Sequence, residues 1–204
     1  MRSRLVTTLA AVVAAGALVA LTAAPASASP RQNYGAPAGT IVDVAVAASG
    51  GGTPDSNPAD YDILIQALTV TGLASTLADP TGRFTVFAPN DAAFLRLVTD
   101  LTGAAPASEA AALAAIVPLG VPAISSILLG HVVAGKALGP ISVLLSRSIT
   151  TANGSVIRPR LLTLRDENPR FADPRLVLSG LNIRASNGVI HTIDRVLLPA
   201  SLGA

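Results

Sequence analysis

Apolar and polar positions alternate with two different periods along this chain, and the period changes near its middle. In DYDILIQALTVTGLASTL, the positions Ile63, Leu64, Ala67, Leu68, Leu73 and Leu77 recur at helical spacing with Gly72 as a break, which predicts two short helices. Phe84 to Pro89, FTVFAP, is aromatic and β-branched and closes on a proline, which predicts a strand. Asn90 and Asp91 follow, and Phe94, Leu97 and Val98 then fall on one helical face, so the strand turns directly into a helix with an N-cap. Ala104 to Pro122 reads as an Ala-rich helix broken at Pro118 and Pro122, and AISSILLGHVV as a further apolar helix. Ile41 to Ala48 fits either a helix or a strand, and Ile141 to Ile149 a short element. From Thr150 the alternation becomes strand-like: TTANGSVI with a turn at Asn153-Gly154, then LLTLRD, RLVLSG and LNIRASNGVIHTIDRVLLP with a second turn at Asn187-Gly188. Helices first and strands later, with FTVF as the early exception, predict an α+β fold rather than alternating βαβ units.

The first residues carry a different pattern. MRSR is basic, Leu5 to Ala24 is almost continuously apolar, and Ala26-Ser27-Ala28 is a small-residue cleavage site. This order predicts a signal peptide over residues 1–28, a flexible Pro/Gly/Ala-rich segment over 29–40, and one domain over 41–200. The expected localisation is therefore secreted, extracellular or envelope-associated, with no transmembrane segment once the leader is removed. The absence of cysteine means that packing alone must hold a secreted domain. The Ala-rich, Lys-poor usage points to a GC-rich bacterial source.

Charge changes the picture once the leader is set aside. The formal +2 of the whole chain comes from Arg2 and Arg4, and the remainder carries 12 basic and 12 acidic residues. With no net basic field, few aromatics and an export signal, nucleic acid is excluded as a partner. The charge is uneven, however. Residues 31–135 hold 3 basic and 8 acidic side chains, and residues 136–204 hold 9 basic and 4 acidic. Arg158 and Arg160 head the arginines of the second half, which form either a solvated face or a docking surface for an acidic polymer such as an envelope glycan.

Candidate chemistry is sparse. There is no G-x-S-x-G elbow, and His131 and His191 are the only imidazoles, so no nucleophile is marked and no catalytic residue is assigned. Two distant histidines and scattered aspartates give no metal-ligand spacing, and neither a metal nor another cofactor is expected. Asp60-Tyr61-Asp62 and Asp166-Glu167 could touch calcium, yet neither fits an EF-hand loop, and Asp60 and Asp62 are better placed at a helix N-terminus, where negative charge is favourable. Asp166-Glu167-Asn168-Pro169 reads as a turn, and Asn153-Gly154-Ser155 matches a glycosylation sequon at the hairpin turn. His191 lies between Val189 and Ile193 on one strand face, the place of a hydrogen-bonded core histidine. Asp194 stands where the alternation slips, and its carboxylate is expected to hold backbone N–H groups. A polar pairing of Asp194 with His131 or His191 stays open.

Three stretches together resemble the fasciclin domain family. FTVFAPNDAAFLRL, Phe84 to Leu97, resembles its first signature, and SNGVIHTIDRVLLP, ending at Pro199, is similar to its closing signature. SSILLGHVVAGKAL, with His131 inside it, resembles the helix with a central histidine that lies between them. The resemblance implies a β-wedge or sandwich of about seven strands with helices packed around it. It also implies a non-catalytic adhesion, matrix or interaction module that contacts a cell-surface or extracellular protein or glycan, and a monomer is the expected state. The signature residues Thr85, Phe87, Asn90, Phe94, His131, His191 and Asp194 are expected to serve the fold first. Departures limit the analogy: Gly130 stands where integrin-binding members carry a tyrosine before the histidine, and there is no Arg-Gly-Asp. The alternative is an envelope carrier or sensor that holds a small ligand in an apolar crevice.

Overall fold

The computed structural model describes residues 39–200 and Leu202; the expected signal segment, residues 1–28, and nearly all of the lead-in, residues 29–40, lie outside the described residues. The ambiguous first apolar run is a helix, α1 (Ile41–Ala48), because a capping box starts it: the Thr40 hydroxyl accepts the Asp43 N–H while the Asp43 carboxylate accepts that of Thr40. α2 (Asp62–Thr71) stops at Gly72, whose φ of 71° ends the helix, and α3 (Leu73–Leu77) follows. β1 (Phe84–Pro89) leads into α4 (Asp91–Thr102), with the Asn90 side chain accepting the Ala93 N–H at 3.1 Å.

Ser108 caps α5 (Glu109–Ile116), so this helix starts later than the Ala-rich composition implied. A 3₁₀ turn containing Pro118 joins it to α6 (Val121–Leu129) at a bend of 107°. The helix expected through His131 and Val133 ends at Leu129. Gly130 closes it, and the β-branched Val132 and Val133 instead belong to β2 (Val132–Ala134), which pairs antiparallel with β1. His131 is thus a helix-to-strand junction residue, not the centre of a helix. After it come α7 (Pro140–Leu145), β3 (Ile149–Thr150), β4 (Val156–Arg160), β5 (Thr163–Arg165), β6 (Ile183–Ala185) and β7 (Gly188–Ile193). The predicted strand RLVLSG is reduced to single bridges at Arg175 and Leu176 and a 3₁₀ turn over Leu178–Gly180.

The α+β expectation is met, with seven strands in two sheets among the described residues. The first runs β2-β1-β7-β6, and the second β3-β4-β5. Every neighbouring pair is antiparallel except β1 and β7, which run parallel from Phe84 opposite Gly188 to Pro89 opposite Ile193. Both of these strands are buried along their whole length. Two-sided burial follows from what each face meets. Val86, Ala88 and Ile190 join the larger core with Leu64, Leu68, Phe94, Leu97 and Ile124 of the helices. Phe87 and Ile193 join a second core with Val143 of α7 and Ile149, Ile157 and Leu164 of the three-stranded sheet.

Two adjacent residues lock the central pair. Gly188 has no room for a side chain, since a Cβ there would collide with the Phe84 carbonyl oxygen and the Ile41 side chain. Asn187, buried beside it, accepts the Ile41 N–H at 2.9 Å and donates to the carbonyls of Leu77 and Asp79 at 2.7 and 2.9 Å. The turn between β6 and β7 is thereby tied to the start of α1 and the end of α3. Among the described residues no single helix is long and apolar enough to cross a membrane.

Candidate functional site

The signature residues do not converge on one cleft. Thr85 donates its hydroxyl hydrogen to the Lys136 carbonyl and accepts the Leu138 N–H, both at 2.8 Å, which staples β1 to the segment before α7. Phe87 is fully buried, with its ring 5.8 Å from that of His191. Asn90 caps α4, and Phe94 lies in the larger core. The Asp194 carboxylate accepts the Arg175 N–H at 2.8 Å, the kind of backbone contact its place at the slipped alternation led one to expect.

Both histidines are enclosed by backbone. A carbonyl can only accept, so His131 Nδ1 must carry the hydrogen it shares with the Ile127 carbonyl at 2.8 Å, and Nε2 accepts the Leu197 N–H at 2.8 Å. His191 holds the opposite tautomer: Nε2 donates to the Leu138 carbonyl at 2.8 Å and Nδ1 accepts the Asn182 N–H at 3.2 Å. Every ring nitrogen is occupied, so neither imidazole pairs with Asp194 or serves as a free base. Burial pushes the His131 proton affinity down, to a pKa of about 4, and lowers that of His191 as well.

The arginines form a coherent surface. On β4, the buried Ile157 points inward, and Arg158 and Arg160 face solvent two residues apart. On β5, Leu164 is the inward residue and Arg165 stands directly opposite Arg158. Thr163 pairs with Arg160 on one side and bridges to Arg175 on the other. Arg158, Arg160, Arg165 and Arg175 therefore share the outer face of one small sheet, all exposed. None of the four has an ion pair or side-chain hydrogen bond among the described residues. An open groove of about 410 Å³ runs beside Arg160 and Arg165. It is mixed in sign, and two of its acids are engaged by backbone: Asp166 accepts the Leu198 N–H at 2.9 Å and Glu167 the Val156 N–H at 3.2 Å. Burial raises the pKa of Asp166.

A second charged cluster has the opposite sign. Asp62, Asp91 and Glu109 are the first residues of α2, α4 and α5, and the three are buried side by side with Asp60. Burial, and the Asp60 carboxyl next to it, push Asp91 up to about 8. Burial likewise raises Asp62 and Glu109.

The profile of the fasciclin domain matches residues 59–199, more than half of the chain. The chain belongs to the fasciclin domain family. It is 33% identical over 142 residues to an uncharacterized protein of Synechocystis sp., covering 68% of this chain and 89% of that protein. It is 28% identical over 139 residues to a second Synechocystis protein, covering 68% and 67%. Among solved structures it is similar to the domain pair from the insect cell adhesion molecule Fasciclin I, with a TM-score of 0.52 and 19% identity. That match covers 79% of this chain and about half, 51%, of the pair, and it supports the fold alone. Fasciclin domains are in general non-catalytic, adhesion-type domains found outside cells or at their surface. In this fasciclin domain the profile begins at residue 59, yet α1 before it packs against α2, β6 and β7.

The sequence pattern singled out Arg158 and Arg160 but not the register that brings Arg165 and Arg175 beside them. Local pattern marks Asp60 and Asp62 as a helix start and Asp91 as part of a cap, and carries no mark at Glu109. Their meeting has no signal in spacing, because they come from separate helices.

Proposed function

We propose that this fasciclin domain is a secreted, non-catalytic interaction module that docks an acidic polymer of the cell surface through the outer face of the β3-β4-β5 sheet. The observation that carries this reading is the set of four exposed arginines on one face, Arg158, Arg160, Arg165 and Arg175, none in an ion pair among the described residues. Like charges directly opposite one another on neighbouring strands are destabilising, and Arg158 faces Arg165 in that way. An anionic partner removes this repulsion, and the planar, forked guanidinium is suited to carboxylate and phosphate groups. The rigid frame beneath supplies a fixed spacing, with Ile157 and Leu164 anchored in the second core.

The test is retention of the purified protein on immobilised heparin, a model polyanionic glycan, and on isolated envelope polymers, across a salt series. Arg158→Glu/Arg160→Glu is compared with Arg147→Glu/Arg184→Glu, which changes net charge equally at exposed sites elsewhere. Loss of binding, with a flatter salt dependence, is expected in the first pair only. Equal loss in both pairs, or none in either, refutes a specific face. The carrier reading draws less support. The apolar crevice between α1, α2, α3 and the first sheet, lined by Ala45, Leu64, Leu68, Leu77 and Ile190, holds about 100 Å³. Small-molecule sites are commonly about 300 Å³ or larger.

A further inference from the structure

The acidic cluster at the converging starts of α2, α4 and α5 has a feature that capping does not explain. Asp91 accepts the N–H groups of Asp62 and Ile63 at 3.0 and 2.9 Å, and Glu109 accepts that of Asp55 at 2.8 Å. Asp91 thereby caps the start of α2, and Glu109 holds the loop at Asp55. Asp60 keeps one oxygen engaged by the Asn57 side chain at 2.9 Å, and its other oxygen is buried without a partner among the described residues. Asp62 is wholly buried, at 0 % exposed, and among the described residues neither of its carboxylate oxygens meets hydrogen-bond geometry with a partner, the Asp55 N–H giving it only partial relief. An unpartnered buried carboxylate is among the costliest arrangements a fold can hold. None of Asp55, Asp60, Asp62, Asp91 and Glu109 is in an ion pair among the described residues.

Geometry supplies what charge lacks. Oxygens of Asp55, Asp62 and Glu109 all lie within 4.8 Å of one another, and so do oxygens of Asp60, Asp62 and Asp91. Asp62 is common to both groups. Two opposite ligands on one calcium ion are separated by about 5 Å, twice a calcium–oxygen distance of about 2.4 Å. Asp55 is exposed, and Asp60 lines an open groove of about 240 Å³ with Asn57 and Tyr61, so the cluster has access from solvent.

We propose that Asp62 is a ligand of a calcium ion that it holds together with Asp55 and Glu109, the group of the two that reaches solvent through the exposed Asp55. The number of carboxylates favours calcium over magnesium, which keeps most of its waters and takes only one or two carboxylates. The ion ties the loop bearing Asp55 to the starts of α2 and α5. This site is separate from the arginine face and draws on different residues.

The experiment is calcium titration of the purified, chelator-treated protein by calorimetry, paired with thermal unfolding. Saturable binding at one ion per chain is expected, with Tm raised by about 5 °C or more once calcium exceeds its Kd about a hundredfold. Asp62→Asn abolishes the shift, and without calcium it unfolds at no lower temperature than the parent, because the orphaned charge is gone. Asp55→Asn, at an exposed position that leaves the core intact, weakens binding at least about tenfold. No binding up to 10 mM calcium, a shift reproduced by potassium chloride of equal ionic strength, magnesium binding as tight as calcium, or full binding in Asp62→Asn would each overturn the assignment.

Discussion

Acidification probes the enclosure of His131 most directly. In the folded protein its Nε2 accepts the Leu197 N–H and its Nδ1–H is engaged by Ile127, so a second ring proton would point at a backbone donor. Burial disfavours the imidazolium further and brings the pKa from 6.5 to about 4. In the unfolded chain the ring titrates normally near 6.5. The folded-state pKa is the lower one, so the stability tied to neutral His131 is fully present above pH 6.5 and is lost as pH falls from there toward 4. The full difference is worth about 3 kcal/mol, at about 1.36 kcal/mol per pH unit, and about 2.5 kcal/mol of it falls between pH 7 and pH 4.5. The assay is urea unfolding of the parent and of His131→Gln at both pH values. The carboxylates and His191 titrate in both proteins and cancel in the difference. At pH 7 the variant is less stable by about 1–3 kcal/mol, the cost of a poorly satisfied Leu197 N–H. At pH 4.5 this gap should shrink by about 2.5 kcal/mol and can change sign. A gap independent of pH would show that the folded state accepts the proton freely, and the enclosure argument would fail.

The two histidines should display opposite neutral tautomers in imidazole nitrogen NMR spectra, Nδ1–H for His131 and Nε2–H for His191; a shared tautomer, or a midpoint near 6.5 for either, contradicts the hydrogen bonds assigned to them. Asn187→Ala strands the Ile41 N–H and two carbonyl contacts at a buried position, and a loss of about 2–4 kcal/mol in denaturant unfolding is expected, with less than about 0.5 kcal/mol indicating that the turn holds without them.

Local signals read correctly where neighbours along the chain decide the structure. FTVFAPN carries its strand, its stop at Pro89 and its cap at Asn90 within a few residues, and each is found. The Asn153-Gly154 turn lies between β3 and β4 as its dipeptide indicated. Where two local tendencies compete, the outcome depended on a distant partner. The apolar run through Gly130 continues at helical spacing, but β1 offers Val132 and Val133 a strand partner, so the helix stops. The segment around Leu176 has strand composition, yet it makes only isolated bridges, Arg175 to Thr163 and Leu176 to Ile193.

The sequence by itself determined the α+β class, the order of its main elements, the two signature segments and therefore the family. These rest on periodicity and turn chemistry, which act over a few residues. Only the tertiary structure decided that β1 and β7 run parallel and divide two cores, that His131 and His191 spend every ring nitrogen on backbone, and that four arginines from three segments share a face. It alone decided that Asp62, Asp91 and Glu109 meet. Those juxtapositions follow from strand register and from helix starts packed together, which are properties of chain closure over tens of residues and leave no mark in local spacing.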